Sequence, residues 1–270
     1  MTMPELSRLS LNQITTENYS LQDTVNACVA EGVEWIGAWR HKIEPVATAA
    51  KIIQDAGLRV SSLCRGGFFP AASASERRQR VEDNLRAIDE AAALGTDLLV
   101  LVCGPAPDRD LDAARAMVVE GLGHIVDHAR ECGVRLGIEP LHPMYAAERS
   151  VVVTLQQANE MAAQFDAAAV GVVVDAYHVW WDPQVYVEIA RAGRRIFAFH
   201  VSDWMVPTNS LLMSRGMMGQ GVIEIRRLRH AAEEAGYCGP IEVEIFNEEI
   251  WRTPVREVVE TIRQSYMAVV

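Results

Sequence analysis

Short runs of apolar and β-branched residues alternate with longer stretches of helical periodicity from one end of the chain to the other. Runs of this kind predict buried strands, and apolar positions spaced three or four residues apart predict helices that cover them. Eight strands are predicted, at Arg8–Asn12, Val33–Ala38, Arg59–Leu63, Leu98–Cys103, Arg135–Glu139, Gly171–Asp175, Ile196–His200 and Ile241–Ile245. The predicted helices are Leu21–Glu31, Val46–Ala56, Ser75–Leu94, Leu111–Cys132, Leu155–Phe165, Gln184–Ala192, Ile225–Ala235 and Val255–Met267.

Turn residues separate these elements and leave no room for a linker. Asp182-Pro183 is a typical helix start, and a glycine closes several helices before the next strand, at Gly57, Gly95, Gly133, Gly193 and Gly236. Eight strand–helix units in succession predict an α/β fold, a single (β/α)8 barrel over residues 1–270. A doubly wound open sheet fits the same alternation. The count of eight strands and the lack of a GxGxxG motif after the first strand favour the closed barrel.

Composition narrows the possible partners. The chain has 270 residues and a net charge of −11, which argues against nucleic-acid binding because phosphate backbones select cationic faces. No apolar run approaches the ~18 residues of a membrane span, and Met1–Glu5 shows no secretion signal. The cysteines are odd in number, without CxxC spacing: Cys28, Cys64, Cys103, Cys132 and Cys238. We therefore expect a cytoplasmic protein with buried thiols, with apolar outer loops that favour a homo-oligomer.

Four chemically active residues end four consecutive predicted strands: Glu139, Asp175, His200 and Glu244. In a parallel barrel the carboxyl ends of the strands meet at one mouth, so these side chains should converge. Three carboxylates brought together need a counter-charge to stay ionised. Oxygen-rich ligation with one histidine suits one divalent metal ion, with Mn²⁺ preferred and Mg²⁺ or Co²⁺ as alternatives. The competing interpretation is four loop residues that face water.

The motifs at these strand ends resemble those of the xylose-isomerase-like TIM-barrel superfamily. They are Glu139-Pro140, the segment Asp175–His178, Phe199-His200 and Glu242–Glu244. Within that superfamily the chain is most similar to the sugar phosphate isomerase/epimerase group, which includes ketose 3-epimerases, hydroxypyruvate isomerases and inosose dehydratases. The resemblance covers nearly the whole chain, because all eight strand–helix units fall in order.

The resemblance implies roles for the four strand-end residues. Glu139 and Glu244 would bind the metal and also exchange protons with the substrate, and Asp175 and His200 would complete the ligand set. The metal would chelate the carbonyl and an adjacent hydroxyl of a sugar, which acidifies the carbon between them. One glutamate would remove that proton to give an enediolate, and the other would protonate it. This chemistry suits an epimerase or aldose–ketose isomerase, and loss of a hydroxyl would make a dehydratase instead.

Further residues are implied or proposed as substrate contacts. His178 matches a histidine that contacts the substrate's hydroxyls, and Arg215 matches an arginine that orients the bound sugar. Trp39 and Phe68 follow strands at the mouth, where aromatic rings stack on sugars and exclude water, or where they pack loops or a subunit interface. His142 lies just beyond Glu139 and either hydrogen-bonds that carboxylate or stacks in the loop.

Two departures from related enzymes narrow the activity. Xylose isomerases proper carry a lysine after the Glu-Pro pair and use a second metal for a hydride shift, whereas this chain has Leu141. Proton transfer is therefore predicted. Endonuclease IV, on the same fold, binds three zinc ions through many histidines, whereas this acidic chain has seven histidines in all. The predicted activity is a metal-dependent sugar isomerase or epimerase acting on a small-molecule sugar. The alternatives are a metal-dependent lyase on a keto-polyol or 3-keto sugar, and a non-catalytic sugar-binding barrel.

Several charged residues keep two interpretations. Arg40, Arg65 and Arg109 follow the second, third and fourth predicted strands, where they would take an acidic group of the substrate or face solvent. A phosphorylated substrate is not favoured, because the Arg215 loop holds no second basic residue. Glu242 and Arg135 lie deeper in the barrel than the strand ends and could form a buried ion pair.

Overall fold

The computed structural model describes residues 5–270, so the interpretation of Met1–Glu5 falls almost entirely outside the described residues. The barrel strands are β1 (Leu9–Asn12), β2 (Trp35–Trp39), β3 (Arg59–Gly67), β4 (Leu98–Val102), β5 (Arg135–Glu139), β6 (Val170–Asp175), β7 (Ile196–Val201) and β10 (Ile241–Val243). They close in the order β1-β10-β7-β6-β5-β4-β3-β2. Every neighbouring pair is parallel. The predicted barrel is confirmed, and an open sheet is excluded because β1 pairs with both β2 and β10.

Helices surround the barrel in the predicted alternation. They are α1 (Leu21–Glu31), α2 (Val46–Asp55), α3 (Ala74–Leu94), α4 (Leu111–Glu131), α5 (Leu155–Ala162), α6 (Ala176–Val179), α7 (Val185–Ala192), α8 (Ile225–Glu234), α9 (Glu248–Arg252) and α10 (Val255–Val269). A small antiparallel pair, β8 (Asp203–Trp204) and β9 (Arg215–Gly216), lies in the long connection after β7. Over residues 5–270, no helix combines the length and apolar character that crossing a membrane requires.

The third strand is longer than predicted, reaching Gly67 rather than Leu63. The side chain of Asn84 accepts a hydrogen bond from the Gly67 N–H at 2.6 Å and donates to the Gly67 carbonyl at 2.8 Å. These two bonds satisfy the backbone N–H and carbonyl of Gly67 at the end of the strand and hold the strand extended there. At this point the strand also crosses close to β4, since a Cβ on Gly67 would lie 2.0 Å from the Val102 carbonyl oxygen.

The eighth barrel strand is shorter than predicted, ending at Val243 rather than Ile245. Its neighbour β1 stops at Asn12, where the chain turns into a short 3₁₀ helix. The Thr15 hydroxyl donates to the Val243 carbonyl at 3.0 Å and accepts from the Ile245 N–H at 2.9 Å. It therefore makes the hydrogen bonds that a longer β1 would have made. Glu244 is therefore held at the mouth by a side chain as well as by backbone pairing.

Gly171 in β6 provides a test of the packing against the neighbouring strand β7 and the residue that precedes it. A Cβ at this position would lie 2.3 Å from the Arg195 carbonyl oxygen and 2.7 Å from the Phe197 ring. We expect Gly171→Ala to lower the free energy of unfolding by about 2 kcal/mol, because neither the backbone nor the packed ring can move away cheaply. Urea unfolding followed by circular dichroism measures the change.

The matched control for that substitution is Gly123→Ala. Gly123 lies on the exposed side of α4, where an added Cβ would meet no other atom within 4 Å. Alanine there should leave the stability unchanged or raise it by up to ~1 kcal/mol through helix propensity. Equal stability of the two variants would show that the close approach at Gly171 is wrong.

Candidate active site

The four strand-end residues singled out by the sequence meet at the mouth of the barrel. Glu139 and Asp175 end β5 and β6, His200 lies near the end of β7, and Glu244 follows β10. One ligand atom from each residue lies within 4.8 Å of the corresponding atoms of the other three. All four side chains are buried, which disagrees with the interpretation that they are loop residues facing water.

The donor atoms of this cluster fit a divalent cation. The Oε1 atom of Glu139 lies 3.4 Å from Nδ1 of His200, and both are buried without a hydrogen-bond partner among the described residues. A buried polar atom without a partner costs about 1–3 kcal/mol, so the arrangement lacks a group that both atoms could bind. Three carboxylates and one imidazole are the ligand types that Mn²⁺ and related ions take.

The electrostatics of the cluster show the same excess of negative charge. Burial raises the pKa of Glu244 to about 8, with Glu139 adding to the rise and Arg215 opposing it. Burial lowers the pKa of His200, but the carboxylates of Glu242 and Glu139 outweigh it and raise that pKa to about 10. Both shifts arise because carboxylates are packed together out of water. A cation placed among them would relieve this repulsion.

Arg215, in β9, supplies part of the positive charge. Its Nη1 atom lies 3.1 Å from Oδ2 of Asp175 and 3.0 Å from Oε2 of Glu244. The guanidinium is 4.5 Å from the ring centre of Tyr177 and 5.0 Å from that of Phe246. Burial acts to raise the pKa of Asp175, but Arg215, as the largest of several opposing contributions, helps to hold that pKa below its usual value. The arginine thus fixes two of the four side chains in place.

His178 lies one turn beyond Asp175 in α6 and is buried beside the cluster. The His142 N–H lies 3.2 Å from its Nδ1 atom, and Nη2 of Arg215 lies 3.0 Å from its Nε2 atom. Burial lowers the pKa of His178 to about 3, so this ring is neutral at the mouth of the barrel. A neutral imidazole accepts a hydrogen bond at only one of its two nitrogens, so the ring holds one of these two donors at a time.

A fourth carboxylate, Glu242, lies beneath His200. Its Oε1 atom is 3.8 Å from Nε2 of His200. The carboxylate accepts hydrogen bonds from Asn12 Nδ2 at 2.5 Å, from Ser61 Oγ at 2.7 Å and from Ser62 Oγ at 2.9 Å. At that distance no hydrogen bond joins the two side chains, so Glu242 acts on the buried ring of His200 through its negative charge.

Glu242 does not pair with Arg135, so that possible ion pair is absent. Arg135 contacts Asp97 at 2.9 Å and lies 4.7 Å from the ring centre of Phe197. Asn12, which the sequence analysis did not select, takes part instead. Asn12 ends β1 as Glu139 ends β5, so the rule that functional residues lie at strand ends would have found it.

The predicted aromatic residues lie at the mouth in two different settings. Trp39 lines the cavity that contains Glu139, and its Nε1 atom donates to Asn12 Oδ1 at 2.7 Å. Phe68 lines the adjoining groove, where the guanidinium of Arg65 lies 4.3 Å from its ring centre. Both rings are half-buried.

His142 packs among aromatic rings in the loop after β5. Its ring centre is 4.9 Å from that of Trp204 and 5.5 Å from that of Trp181. Its Nδ1 atom accepts from the Met144 N–H at 3.2 Å, and no hydrogen bond joins it to Glu139 among the described residues. Its backbone, rather than its ring, contacts the site, through the N–H that faces His178.

The cavity above the four residues is small and covered. Its volume is about 30 Å³, roughly that of a single water molecule, whereas sugar-sized ligands need several hundred Å³. Leu212, from the connection between β8 and β9, packs on Tyr145, Val102 and Leu141 over the mouth. The Tyr145 hydroxyl donates to the Leu211 carbonyl and ties that connection down. An adjoining groove of about 420 Å³ shares Trp39, Cys64 and Arg65 with this cavity.

The residues that sequence reasoning missed are on loops. Tyr145 and Arg149 lie ten or fewer residues beyond Glu139 and line the cavity, as does Leu212. No motif or strand-end position marks them, because the path of a loop is set by contacts distant in sequence.

Comparison with known proteins agrees with this geometry. Residues 25–265 match the model of a family described as xylose isomerase-like TIM barrel. The crystal structure of protein SMc04130 from Sinorhizobium meliloti 1021 is 45% identical, with a TM-score of 0.95, and covers 98% of this chain and 99% of that one.

Two curated enzymes show how varied similar proteins are. The chain is 31% identical over 192 residues to 3-dehydroshikimate dehydratase of Pseudomonas putida, a match that covers 67% of this chain. The aligned part spans only 29% of the length of that enzyme. Inosose isomerase of Bacillus licheniformis is 23% identical, with 97% of this chain and 98% of that enzyme covered.

Proposed function

This chain belongs to the xylose isomerase-like TIM barrel family, and on that premise we propose that it is a metal-dependent isomerase or epimerase of a keto-sugar or keto-polyol. The observation that carries the proposal is the buried cluster of Glu139, Asp175, His200 and Glu244. Its relatives include sugar isomerases, epimerases and dehydratases, and those activities share the removal of a proton from carbon next to a carbonyl.

The four clustered side chains would hold one divalent ion, with Mn²⁺ preferred over Mg²⁺ or Co²⁺ for this oxygen-rich set. When bound, the ion would polarise the carbonyl oxygen of the substrate and acidify the adjacent C–H bond. Asp175 is held by the ion pair with Arg215, and the carboxylate of Glu242 lies 3.8 Å from Nε2 of His200. Asp175 is therefore positioned before anything binds, which limits the entropy lost on binding.

Glu139 and Glu244 are the groups suited to proton transfer. They approach from β5 and β10, which are separated by two strands in the closed ring. Each could thus face a different side of a planar enediolate, one removing a proton and the other returning it. Leu141 and Leu212 exclude water from the mouth, which protects such an intermediate from uncontrolled protonation. The half-buried ring of Trp39, on the same cavity, acts in the same way.

A dehydratase is the second candidate, because 3-dehydroshikimate dehydratase is among the similar enzymes. It would begin with the same proton abstraction and then expel a hydroxyl from the neighbouring carbon. We propose in either case a small sugar-like substrate and a cytoplasmic location, with assembly into a homo-oligomer as a further prediction.

The experiment is isotope exchange. Protein loaded with Mn²⁺ is incubated in D₂O with D-fructose, D-ribulose or an inosose, and the products are followed by NMR and ultraviolet absorbance. We expect deuterium at the carbon next to the carbonyl, with an epimer or isomer appearing and no enone. Chelation of the metal should abolish exchange, and added Mn²⁺ should restore it. Growth of an enone would favour the dehydratase, and exchange that survives chelation would contradict both candidates.

A further inference from the structure

Two arginines without an acidic partner line the same cavity as the candidate proton-transfer residues. Arg65 comes from β3 and Arg149 from the loop after β5, and both border the cavity that reaches Glu139 and Glu244. Within residues 5–270 neither side chain forms an ion pair or a hydrogen bond. Each guanidinium lies over an aromatic ring instead.

Two other arginines at the mouth are paired with acidic groups. Arg40, at the neighbouring rim, contacts Glu90 at 2.6 Å and Asp83 at 3.0 Å. Arg215 contacts two carboxylates of the cluster. The chain thus surrounds its structural arginines with acidic groups, and in a protein of net charge −11 such groups are abundant. Arg65 and Arg149 have no such acidic partner, so the positive charge of both side chains is available to a ligand.

The guanidinium groups are also held in place. Arg65 lies 4.3 Å from the ring centre of Phe68, and Arg149 lies 5.6 Å from that of Tyr145. Phe68 has a φ of 55°, in the region that favours glycine, and its N–H donates to the Val102 carbonyl at 2.8 Å. An arginine stacked on a ring keeps its N–H edges free for oxygen atoms.

The two charges also repel each other. Burial lowers the pKa of Arg65, and the charge of Arg149 lowers it further. Two partly buried cations facing one cavity are unfavourable unless something negative lies between them. The charge of Glu139 opposes this lowering, but Glu139 forms no ion pair with either arginine. The oxyanion of a ligand placed between the two guanidinium groups would relieve their repulsion.

We propose that the substrate carries an oxyanion, a carboxylate or a phosphate, that binds Arg65 and Arg149 while its keto end reaches Glu139 and Glu244. This inference rests on the proposed function. Guanidinium groups pair with carboxylates and phosphates through two parallel hydrogen bonds, which fixes the direction of the bound molecule as well as its charge. The enzyme would therefore select acidic keto-sugars over neutral ones.

The test uses three ligands that differ only at C6: D-fructose, D-fructuronate and D-fructose 6-phosphate. Dissociation constants are measured by calorimetry on the Mn²⁺-loaded protein at low salt. We expect at least one acidic ligand to bind about tenfold more tightly than D-fructose, since hydrogen bonds between charged groups are the stronger ones. Whether D-fructuronate or the phosphate is preferred identifies the oxyanion. The preference should decrease as salt is added.

Arg65→Gln and Arg149→Gln should each remove most of that preference, and Arg65→Lys should keep part of it. Arg40→Gln is the matched control, because Arg40 is already paired with Asp83 and Glu90, and it should keep the preference. If the acidic ligands bind no better than D-fructose, or if the glutamine variants keep the preference, the inference is overturned. Selective binding of an acidic ligand without deuterium exchange would instead overturn the proposed function and leave this inference standing.

Discussion

Replacing Glu139 or Glu244 with glutamine should lower the rate at which deuterated epimer or isomer forms by about 10³-fold, since a positioned acid or base contributes roughly 10²–10⁴-fold. Glutamine keeps the shape of the side chain but can neither take nor give the proton. The double variant should be little worse than either single one, because both act in the same proton-transfer sequence. The rates are measured by NMR in D₂O at saturating Mn²⁺, with the bound metal quantified in the same samples.

Glu248→Gln is the matched control for this pair. Glu248 lies four residues beyond Glu244, but its side chain is exposed and pairs with Arg252 at 2.6 Å. It should leave the exchange rate unchanged. If the Glu139→Gln and Glu244→Gln proteins hold the metal and exchange deuterium at the wild-type rate, the carboxylates are ligands only. Unchanged behaviour in every assay would favour the non-catalytic sugar-binding barrel.

The barrel was predictable because each strand carries its own local signal. Runs such as Leu98–Val102 are apolar on both faces, as expected for strands covered inside and outside. The ends of β3 and β10 were not predictable. They depend on Asn84 and Thr15, which lie far along the chain from the residues whose backbone groups they satisfy.

The candidate cluster was predictable for a topological reason. All strands of a parallel barrel point the same way, so a polar residue at the end of one is brought near the ends of the others. The rule needs no knowledge of side-chain conformation. Contacts that do need it were missed: Asn12 beneath the mouth, Arg149 across the cavity, and the ion pairs of Arg215 with the cluster.

The charged side chains at the mouth form two groups, one with excess negative charge and one with excess positive charge. At one end the carboxylates of Glu139, Asp175 and Glu244 outnumber the single guanidinium of Arg215. At the other end Arg65 and Arg149 have no carboxylate partner among the described residues. Both groups line one cavity, and although the charge of Glu139 acts on Arg65, no ion pair joins the two ends. A cation at one end and an anionic substrate group at the other would satisfy both.

The Glu242→Gln substitution should weaken Mn²⁺ binding by about 10–100-fold, the usual effect of losing a carboxylate that orients a histidine ligand. Glutamine removes the negative charge 3.8 Å from Nε2 of His200, so the ring loses the electrostatic attraction that favours a proton on Nε2 and leaves Nδ1, which faces Glu139, as the ligand atom. Affinity is measured by calorimetric titration of Mn²⁺, and ¹⁵N NMR of the imidazole reports the loss of its fixed tautomer without any turnover.

A second group of side chains that could hold a metal ion would add its own binding to this titration. On the outer helices, His128 Nε2 lies 2.8 Å from Asp89 and 3.7 Å from the Cys132 sulfur. The wild-type and Glu242→Gln proteins should therefore be compared with Cys132→Ser present in both. Ser61→Ala, which removes one hydrogen bond to Glu242 and keeps the charge, should weaken binding less. If Glu242→Gln binds Mn²⁺ as tightly as its parent, then Glu242 serves the packing of the barrel floor, and the orientation of His200 depends on other contacts.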